Sequence, residues 1–165
     1  MSLALYSPED VIILLGGIYQ IEGLHEGSFL SISQDGNKWE SSVTSDGRVT
    51  RTYNKSNTHT VSITLSSTAD ANAIFAAWAA SDGLLHGAML PLFIKDTNGN
   101  SMFYSPSTWV EKEPESSFDM DVTERTWVLK AAGAVNTIGG NESGELIPKE
   151  LAVLGFIGAD FAGFI

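Results

Sequence analysis

The chain has 165 residues, the usual size of one domain, and 43% of them are hydrophobic, so a buried core is expected. It contains no cysteine, which excludes disulfides and thiolate chemistry. A formal charge of −11 at pH 7 argues against a surface that binds DNA, but not against a surface along which DNA moves without binding. We predict no signal peptide at the N-terminus and no membrane span, so synthesis in the cytoplasm is expected.

Strands interrupted by glycine are predicted near the start of the chain. Val11–Leu15 lacks alternation, which is typical of a strand buried on both sides. A long ribbon is predicted from Ile18 to Ser33, in which Gln20 and Glu22 face away from their apolar neighbours. Two glycines interrupt this ribbon as bulges or a hinge would, namely Gly23 and Gly27.

Residues 34–57 form the least apolar region of the chain. Lys38 to Val43 and Arg48 to Tyr53 are predicted short strands, and Ser45-Asp46-Gly47 between them is typical of a hairpin turn. We interpret residues 34–57 as an arm beside the core. An ordinary solvated loop is the alternative, and residue types alone favour it.

The stretch 58–82 organises the rest of the prediction, because it begins as a strand and ends as a helix. Hydroxyl side chains alternate with mainly apolar ones from Thr58 to Leu65, which predicts one wet and one buried strand face. A helix is predicted over residues 68–81, ended by Asp82-Gly83. Its apolar face is predicted to consist of Ile74, Phe75, Trp78 and Ala79.

Three further strands are predicted after the helix, at Leu90 to Lys95, Ser101 to Glu111 and Phe118 to Ala132. The second supplies core candidates in Phe103, Trp109 and Val110. The third begins as an alternating ribbon, in which Asp119 and Asp121 face away from the apolar residues Phe118, Met120 and Val122.

Seven or more strands and one helix predict a mainly β fold, either a β-sandwich or a barrel with a flanking helix. We predict a domain over residues 1–140, with a linker at 135–145 that leads into an apolar extension at 141–165. An apolar extension on an acidic protein needs a partner surface, in its own core, a neighbouring subunit or another protein. The contact candidates recur at three-, four- and seven-residue spacings: Leu151, Leu154, Phe161 and Ile165.

Motifs of catalysis are absent from the sequence. His25, His59 and His86 are isolated, without the spacing of metal ligands. The sequence contains neither a nucleophile elbow nor a phosphate-binding glycine loop. Carboxylate pairs arise by chance among twenty acidic residues. We therefore predict no catalytic residue, no metal, no cofactor and no enzymatic activity.

An ordered series of short motifs nevertheless runs through the chain. It consists of Asp10-Val11, Ile18…Ile21-x-Gly23, Glu26-Gly27, Ser45-Asp46-Gly47-x-Val49-x-Arg51, Val61-x-Ile63-x-Leu65, Asn72, Ile94-Lys95-Asp96-x-x-Gly99, Trp109-Val110-x-Lys112-x-Pro114 and Arg125-Thr126-Trp127-x-Leu129. From about Tyr6 to Gly140, this series resembles the tail tube proteins of contractile-tailed bacteriophages.

The resemblance implies a subunit that assembles into hexameric rings, which stack into a hollow tube inside a contractile sheath. Each subunit would give strands to a continuous inner β-barrel. The implied partners are further copies of the chain, the tail sheath, baseplate and tail terminator proteins, and genomic DNA that passes without specific binding. The implied location is the virion tail, with no membrane. The arm would contact an adjacent ring or subunit through Lys38, Trp39, Asp46, Arg48 and Arg51.

The residue pattern fits this picture independently. Polar rows on long ribbons suit strands that line an aqueous bore, and an acidic wall would repel DNA phosphates and let the genome slide. The expected bore-facing residues are Gln20, Glu22, Asp119 and Asp121. The apolar extension is expected to be buried between identical subunits.

Two other classes stay open from the sequence. One is the tube protein of a contractile injection or type VI-like secretion apparatus, which shares the ring architecture. The other is a carbohydrate-binding β-sandwich that uses Trp39, Trp109 and Trp127 as stacking platforms, although the last two have apolar neighbours typical of a core. A hydrolase is a third reading, without any supporting motif.

Overall fold

A computed structural model of the chain describes residues 7–139. The extension with its contact candidates Leu151, Leu154, Phe161 and Ile165 lies outside the described residues. The elements are, in chain order, a short 3-10 turn (Pro8–Asp10), β1 (Val11–Leu15), β2 (Tyr19–Gln20), β3 (Leu30–Gln34), β4 (Trp39–Val43), β5 (Val49–Tyr53), β6 (His59–Ser66), α1 (Ala71–Leu85), β7 (Leu90–Asp96), β8 (Met102–Lys112), β9 (Glu124–Ala132) and β10 (Val135–Thr137).

Eight of the strands form one antiparallel sheet, in the order β2-β1-β7-β8-β9-β6-β3, with β10 paired to β8. The remaining two, β4 and β5, form a separate two-stranded sheet. This confirms the predicted mainly β fold with one helix, and its shape is sandwich-like. The large sheet does not close into a barrel among the described residues, so its two ends are the edges of β2 and β3.

The ladder between β6 and β9 is the centre of the sheet. It runs in unbroken register from His59 opposite Ala131 to Ser66 opposite Glu124. Val61, Ile63 and Leu65 are fully buried, whereas Ser62 lies half-buried on the opposite face. Each of these three apolar side chains contributes about 2 kcal/mol by leaving water. The predicted buried face is confirmed, whereas the predicted wet face is half-buried and includes the buried Thr64.

The helix differs from its prediction in both bounds and face. It begins at Ala71 and continues through Gly83 to Leu85, and the backbone leaves it at His86 with a left-handed φ of 51°. The Asp82 carboxylate accepts a hydrogen bond from the Ala88 N–H at 3.0 Å, so the Asp-Gly pair supports the end of the helix rather than causing it. Ile74 is exposed on this helix, so its place in the predicted apolar face was wrong.

The buried helix face is Ala71, Asn72, Phe75 and Trp78, and the amide of Asn72 explains why the helix lies in this orientation. Its Nδ2 donates to the carbonyl oxygens of Ser66 (2.8 Å) and Ala69 (3.0 Å). Its Oδ1 accepts from Trp127 Nε1 at 2.9 Å. A buried amide is tolerated only when its donors and acceptor are paired, and here the pairing joins α1 to β6 and β9.

The predicted ribbon from Ile18 to Ser33 was wrong as one continuous strand. Only β2 and β3 are strands, and a loop joins them. Gly23 has a φ of +77°, and a Cβ there would lie 2.5 Å from the Cβ of Ala69, so the chain turns closely against the start of the helix. The loop then follows β6, where the Thr64 N–H donates to the Phe29 carbonyl at 2.8 Å.

The predicted ribbon from Phe118 was wrong over its first part, because β9 begins only at Glu124. Residues 113–123 belong to no strand. The ladder from β9 to β6 ends at Glu124, and the ladder to β8 ends at Val128. The alternating residues before Glu124 therefore have no neighbouring strand with which to pair, and Phe118 is 89% exposed.

The predicted linker at 135–145 was wrong at its start, where β10 pairs with Met102 to Tyr104 of β8. Gly133, with a φ of +65°, turns the chain from β9 into β10 along the same edge of β8. The buried hydroxyl of Ser105 donates to the Ala132 carbonyl at 2.9 Å and stabilises this corner.

We expect Asn72→Ala to lower the free energy of unfolding by about 2–3 kcal/mol, because Trp127 Nε1 loses its buried acceptor and the part-buried carbonyls of Ser66 and Ala69 lose a donor. Chemical denaturation measures the loss. The matched control, Asn37→Ala, removes an exposed amide and should change stability by under about 0.5 kcal/mol. Equal effects of the two variants would contradict this role of Asn72.

Candidate assembly surface

The hairpin of the arm is the part of the described chain that stands most clearly outside the core. β4 and β5 pair with each other from Trp39 opposite Tyr53 to Val43 opposite Val49, and no other described strand pairs with them. Every residue of both strands is exposed. The two strands and the turn between them are where the sequence predicts them.

Directly opposite residues of a hairpin share one face, which gives the arm two different faces. The face that we call the Trp39 face consists of Trp39, Ser41, Val43, Val49, Arg51 and Tyr53. The opposite face, which we call the Thr50 face, consists of Glu40, Ser42, Thr50 and Thr52. Large aromatic and aliphatic side chains thus lie on one side of the hairpin and hydroxyls on the other.

An aromatic cluster forms the base of the Trp39 face. The ring centroids of Trp39 and Tyr53 lie 4.9 Å apart, and the guanidinium carbon of Arg51 lies 3.9 Å from the centroid of the Trp39 ring. These contacts are worth about 0.5–1 kcal/mol at an exposed site. Trp39 is still 44% exposed and Tyr53 54%, so the cluster presents aromatic surface to solvent.

The tip of the arm is fixed by polar contacts. The Thr44 hydroxyl donates to the Asp46 carboxylate, and the Arg48 N–H donates to it at 3.4 Å. The hydrogen bond from the Thr44 hydroxyl, and to a smaller extent the one from the Arg48 N–H, lowers the pKa of Asp46. Arg48 Nε also lies 3.4 Å from Asp46 Oδ2, in an exposed ion pair. Asp46 and Arg48 therefore shape the turn, while Trp39 and Arg51 form the exposed face.

The base of the arm is tied to the central ladder by a three-residue network. Lys130 Nζ on β9 donates to Asp35 Oδ2 at 2.6 Å and to Thr60 Oγ1 at 2.9 Å. The Thr60 hydroxyl donates to Asp35 Oδ1 at 2.6 Å. On the other side, Asn57 Nδ2 donates to the Ala134 carbonyl at 2.6 Å. Lys38 adds a backbone contact, because its carbonyl accepts from Asn54 N–H at 2.8 Å.

A second exposed apolar surface lies between β8 and β9. We call residues 113–123 the acidic loop, because they include Glu113, Glu115, Asp119 and Asp121 and no basic residue. Phe118, Met120 and Val122 are all largely exposed in this loop. The sequence patterns did not predict this surface, because they predicted that the same residues form one face of a strand.

The four residues expected to face a bore are not brought together. Gln20 and Glu22 are exposed on or just after β2 and line one open groove, together with Glu9 and Glu26. Asp119 and Asp121 belong instead to the acidic loop.

The described residues also bear on the alternative readings. Trp127 is buried against the helix and Trp109 is half-buried, so with Trp39 on the arm the three tryptophans do not form a shared platform. Within residues 7–139, no three histidine, aspartate or glutamate residues are grouped as metal ligands would be. No helix in that part of the chain has the length and apolar character needed to cross a membrane.

The network at the base of the arm makes stability depend on pH. Lys130 first, and then Thr60, lower the pKa of Asp35 by hydrogen bonds to its charged form. A lowered folded-state pKa stabilises the fold above the unfolded value of about 3.9, and this contribution is lost as the pH falls through the folded-state pKa. We expect Asp35→Asn to destabilise the chain by about 1 kcal/mol at pH 7.

The difference between Asp35→Asn and wild type should shrink towards zero well below pH 4. Denaturation curves at a series of pH values measure it. Asp119→Asn, a change in an exposed loop carboxylate, is the control and should have little effect at any pH. A pH-independent effect of Asp35→Asn would contradict the network.

Known proteins share this fold, although no family model matches the chain. The "Structural protein ORF10" of Pseudomonas phage KPP10 is 23% identical over 144 residues, which cover 83% of each chain. A chain of the PVC sheath–tube complex, from an extracellular contractile injection system in its extended state, has a TM-score of 0.56 at 15% identity and aligns over 79% of this chain and 89% of that one.

A chain of the anti-feeding prophage cap, a tube-terminating cap, has a TM-score of 0.53 at 13% identity and aligns over 82% of this chain and 95% of that one. These likenesses confirm the resemblance found in the sequence and agree with a place in a virion or a phage-like particle. The chain is similar to a phage structural protein and has the fold found in sheath–tube and tube-cap assemblies of contractile injection systems.

Proposed function

We propose that the chain is a structural subunit of a phage tail tube, in which copies form hexameric rings that stack into a hollow conduit. One observation carries the proposal. In a chain with the fold of sheath–tube assemblies, no other described strand pairs with the arm, and the large apolar side chains of its Trp39 face are 44% to 69% exposed. This combination is typical of a subunit that completes its packing on a neighbour, and it gives no role to catalysis.

The energetics of the arm support a partner. An isolated two-stranded hairpin is at best marginally stable in water, and it gains stability when a third strand or an apolar surface covers one face. Each 100 Å² of apolar surface that a neighbour covers would add about 2.5 kcal/mol. The network of Asp35, Thr60 and Lys130 holds the base of the arm in place, which reduces the entropy lost on docking.

The free edges of the large sheet support ring closure. The outer edge of β3, Leu30–Gln34, pairs with no described strand and carries neither a charge nor a proline. Such an edge is a template for pairing with another chain. If β3 of one copy pairs with β2, the far end of the large sheet, of the next copy, a ring pairs both end edges of that sheet and forms an inner barrel.

The bore is proposed to be polar and acidic, so that DNA passes without specific binding. Gln20 and Glu22 are its best candidates, because they lie on or beside an edge strand with exposed side chains. β9 begins only at Glu124, so Asp119 and Asp121 lie on no strand of the sheet and are weaker candidates for the bore. The sheath, baseplate and terminator proteins are the proposed partners, and the virion tail is the proposed location.

A tube of a contractile injection apparatus is the second candidate, favoured by the likeness to the PVC sheath–tube complex. It requires the same rings and the same arm, and it differs in what the tube carries. Finding DNA inside tubes isolated from native particles supports the first candidate, and finding a protein cargo supports the second.

We expect the purified wild-type chain to form rings or tubes with a central hole under the electron microscope. Trp39→Ala with Tyr53→Ala should abolish them, because the Trp39 face loses its aromatic anchors. Thermal unfolding should change little, since the arm is outside the core. Glu40→Gln with Ser42→Ala alters the opposite face of the hairpin, on β4, and serves as the control. Normal tubes from the first variant would contradict the proposal.

Charge reversal tests the bore. Glu22→Lys should slow DNA ejection from assembled particles while leaving tubes intact, because each ring would add lysines that attract phosphates. Glu40→Lys changes the net charge equally on the arm and should leave ejection unchanged. Equal ejection rates for Glu22→Lys and wild type would contradict the proposal that Glu22 faces the bore.

A further inference from the structure

The acidic loop has the sequence of a strand without the partner that a strand needs. Phe118, Met120 and Val122 alternate with Asp119 and Asp121, the pattern of a half-buried strand. In the described chain this segment pairs with nothing, and its three apolar side chains are exposed. A second chain can supply the missing strand.

The arm, in turn, is an amphipathic hairpin that lacks a third strand, because each of its two strands has an unpaired edge. Three strands with one apolar face are the smallest sheet with independent stability. If the loop added to the hairpin, its apolar row would extend the Trp39 face and its aspartates would extend the Thr50 face.

Charge decides which edge of the hairpin fits better. Within the strands, β5 carries one positive charge, Arg51, and β4 one negative charge, Glu40, while Lys38 and Arg48 each lie one residue before a strand. Glu40 belongs to the Thr50 face, so a loop added to the β4 edge would place its aspartates beside this carboxylate. The acidic loop carries four carboxylates and no base. In a chain with a net charge of −11, the β5 edge is therefore the favoured place for the loop.

We propose that residues 118–122 of one copy add as a third strand to the β5 edge of the arm of a neighbouring copy. Backbone hydrogen bonds would give the affinity and the alternating side chains the register, as in other cases of strand addition. The contact joins two different surfaces of the chain, so it propagates from copy to copy. The inference rests on the proposed function and names the surface that receives the arm.

The absence of cysteine from the chain makes cross-linking a direct test. Two single-cysteine variants are mixed, one with Thr50→Cys and the other with Asp119→Cys or Asp121→Cys, both on the same face of the proposed sheet. One variant is labelled with 15N, so that a disulfide between the two kinds of copy is identified by mass. Neighbouring strands bring such Cβ atoms within disulfide reach.

We expect a cross-linked heterodimer from at least one of these two mixtures after mild oxidation. Ser42→Cys lies directly opposite Thr50 on β4 and is the control for the edge. Met120→Cys points to the other face and is the control for the register. Ser42→Cys mixed with a loop variant, and Met120→Cys mixed with Thr50→Cys, should give no heterodimer. Adding Phe118→Ser and Met120→Ser to the loop variant should abolish the expected heterodimer.

Rings or tubes that form without the expected heterodimer would overturn this inference and leave the proposed function standing. Equal cross-linking of Ser42→Cys and Thr50→Cys would overturn the choice of the β5 edge. Failure of the wild-type chain to assemble, with no cross-link in any mixture, would overturn both proposals.

Discussion

The ladder between β6 and β9 is the interaction on which the rest of the structure depends. Its buried face supplies Val61, Ile63, Leu65 and Leu129 to the fully buried core, and its two ends hold other elements in place. At one end the amide of Asn72 joins the helix to Trp127. Further along, Thr60 and Lys130 hold Asp35 at the base of the arm. A loss of this register would displace the helix and the arm together.

Stability and assembly are thereby assigned to different parts of the chain. The large sheet and the helix bury their apolar faces within one copy, whereas the arm and the acidic loop leave theirs in water. Under the proposed function, these uncovered surfaces are the ones on which neighbouring copies pack. Packing of those surfaces then needs only a neighbour, without rearrangement of the core.

Sequence patterns predicted the elements whose signal is local. β6 was predictable because its buried face alternates, and the hairpin of the arm because Ser45-Asp46-Gly47 is a turn signal. The fold class and the likeness to tail tube proteins also followed from the sequence. The assembly state and the bore-facing residues stay predictions.

Two of the errors share one cause, which is that a sequence pattern shows a face but not what covers it. Phe118 lies in an alternating segment, yet no strand lies beside that segment. On the helix, the polar Asn72 is buried and Ile74 is exposed, because Asn72 has hydrogen-bond partners that the sequence does not reveal. The ion pair of Asp35 with Lys130 joins residues 95 positions apart, and no local signal marks it. Such contacts depend on the sheet order, which only the structure gives.

Amide hydrogen exchange of the free chain and of assembled tubes tests most directly the claim that the arm completes its packing on a neighbouring copy. Amides of residues 39–53 should exchange quickly in the free chain and become strongly protected in tubes, while those of β6 are protected in both states. Arm amides that are equally protected in the free chain, or that stay unprotected in assembled tubes, would contradict the account.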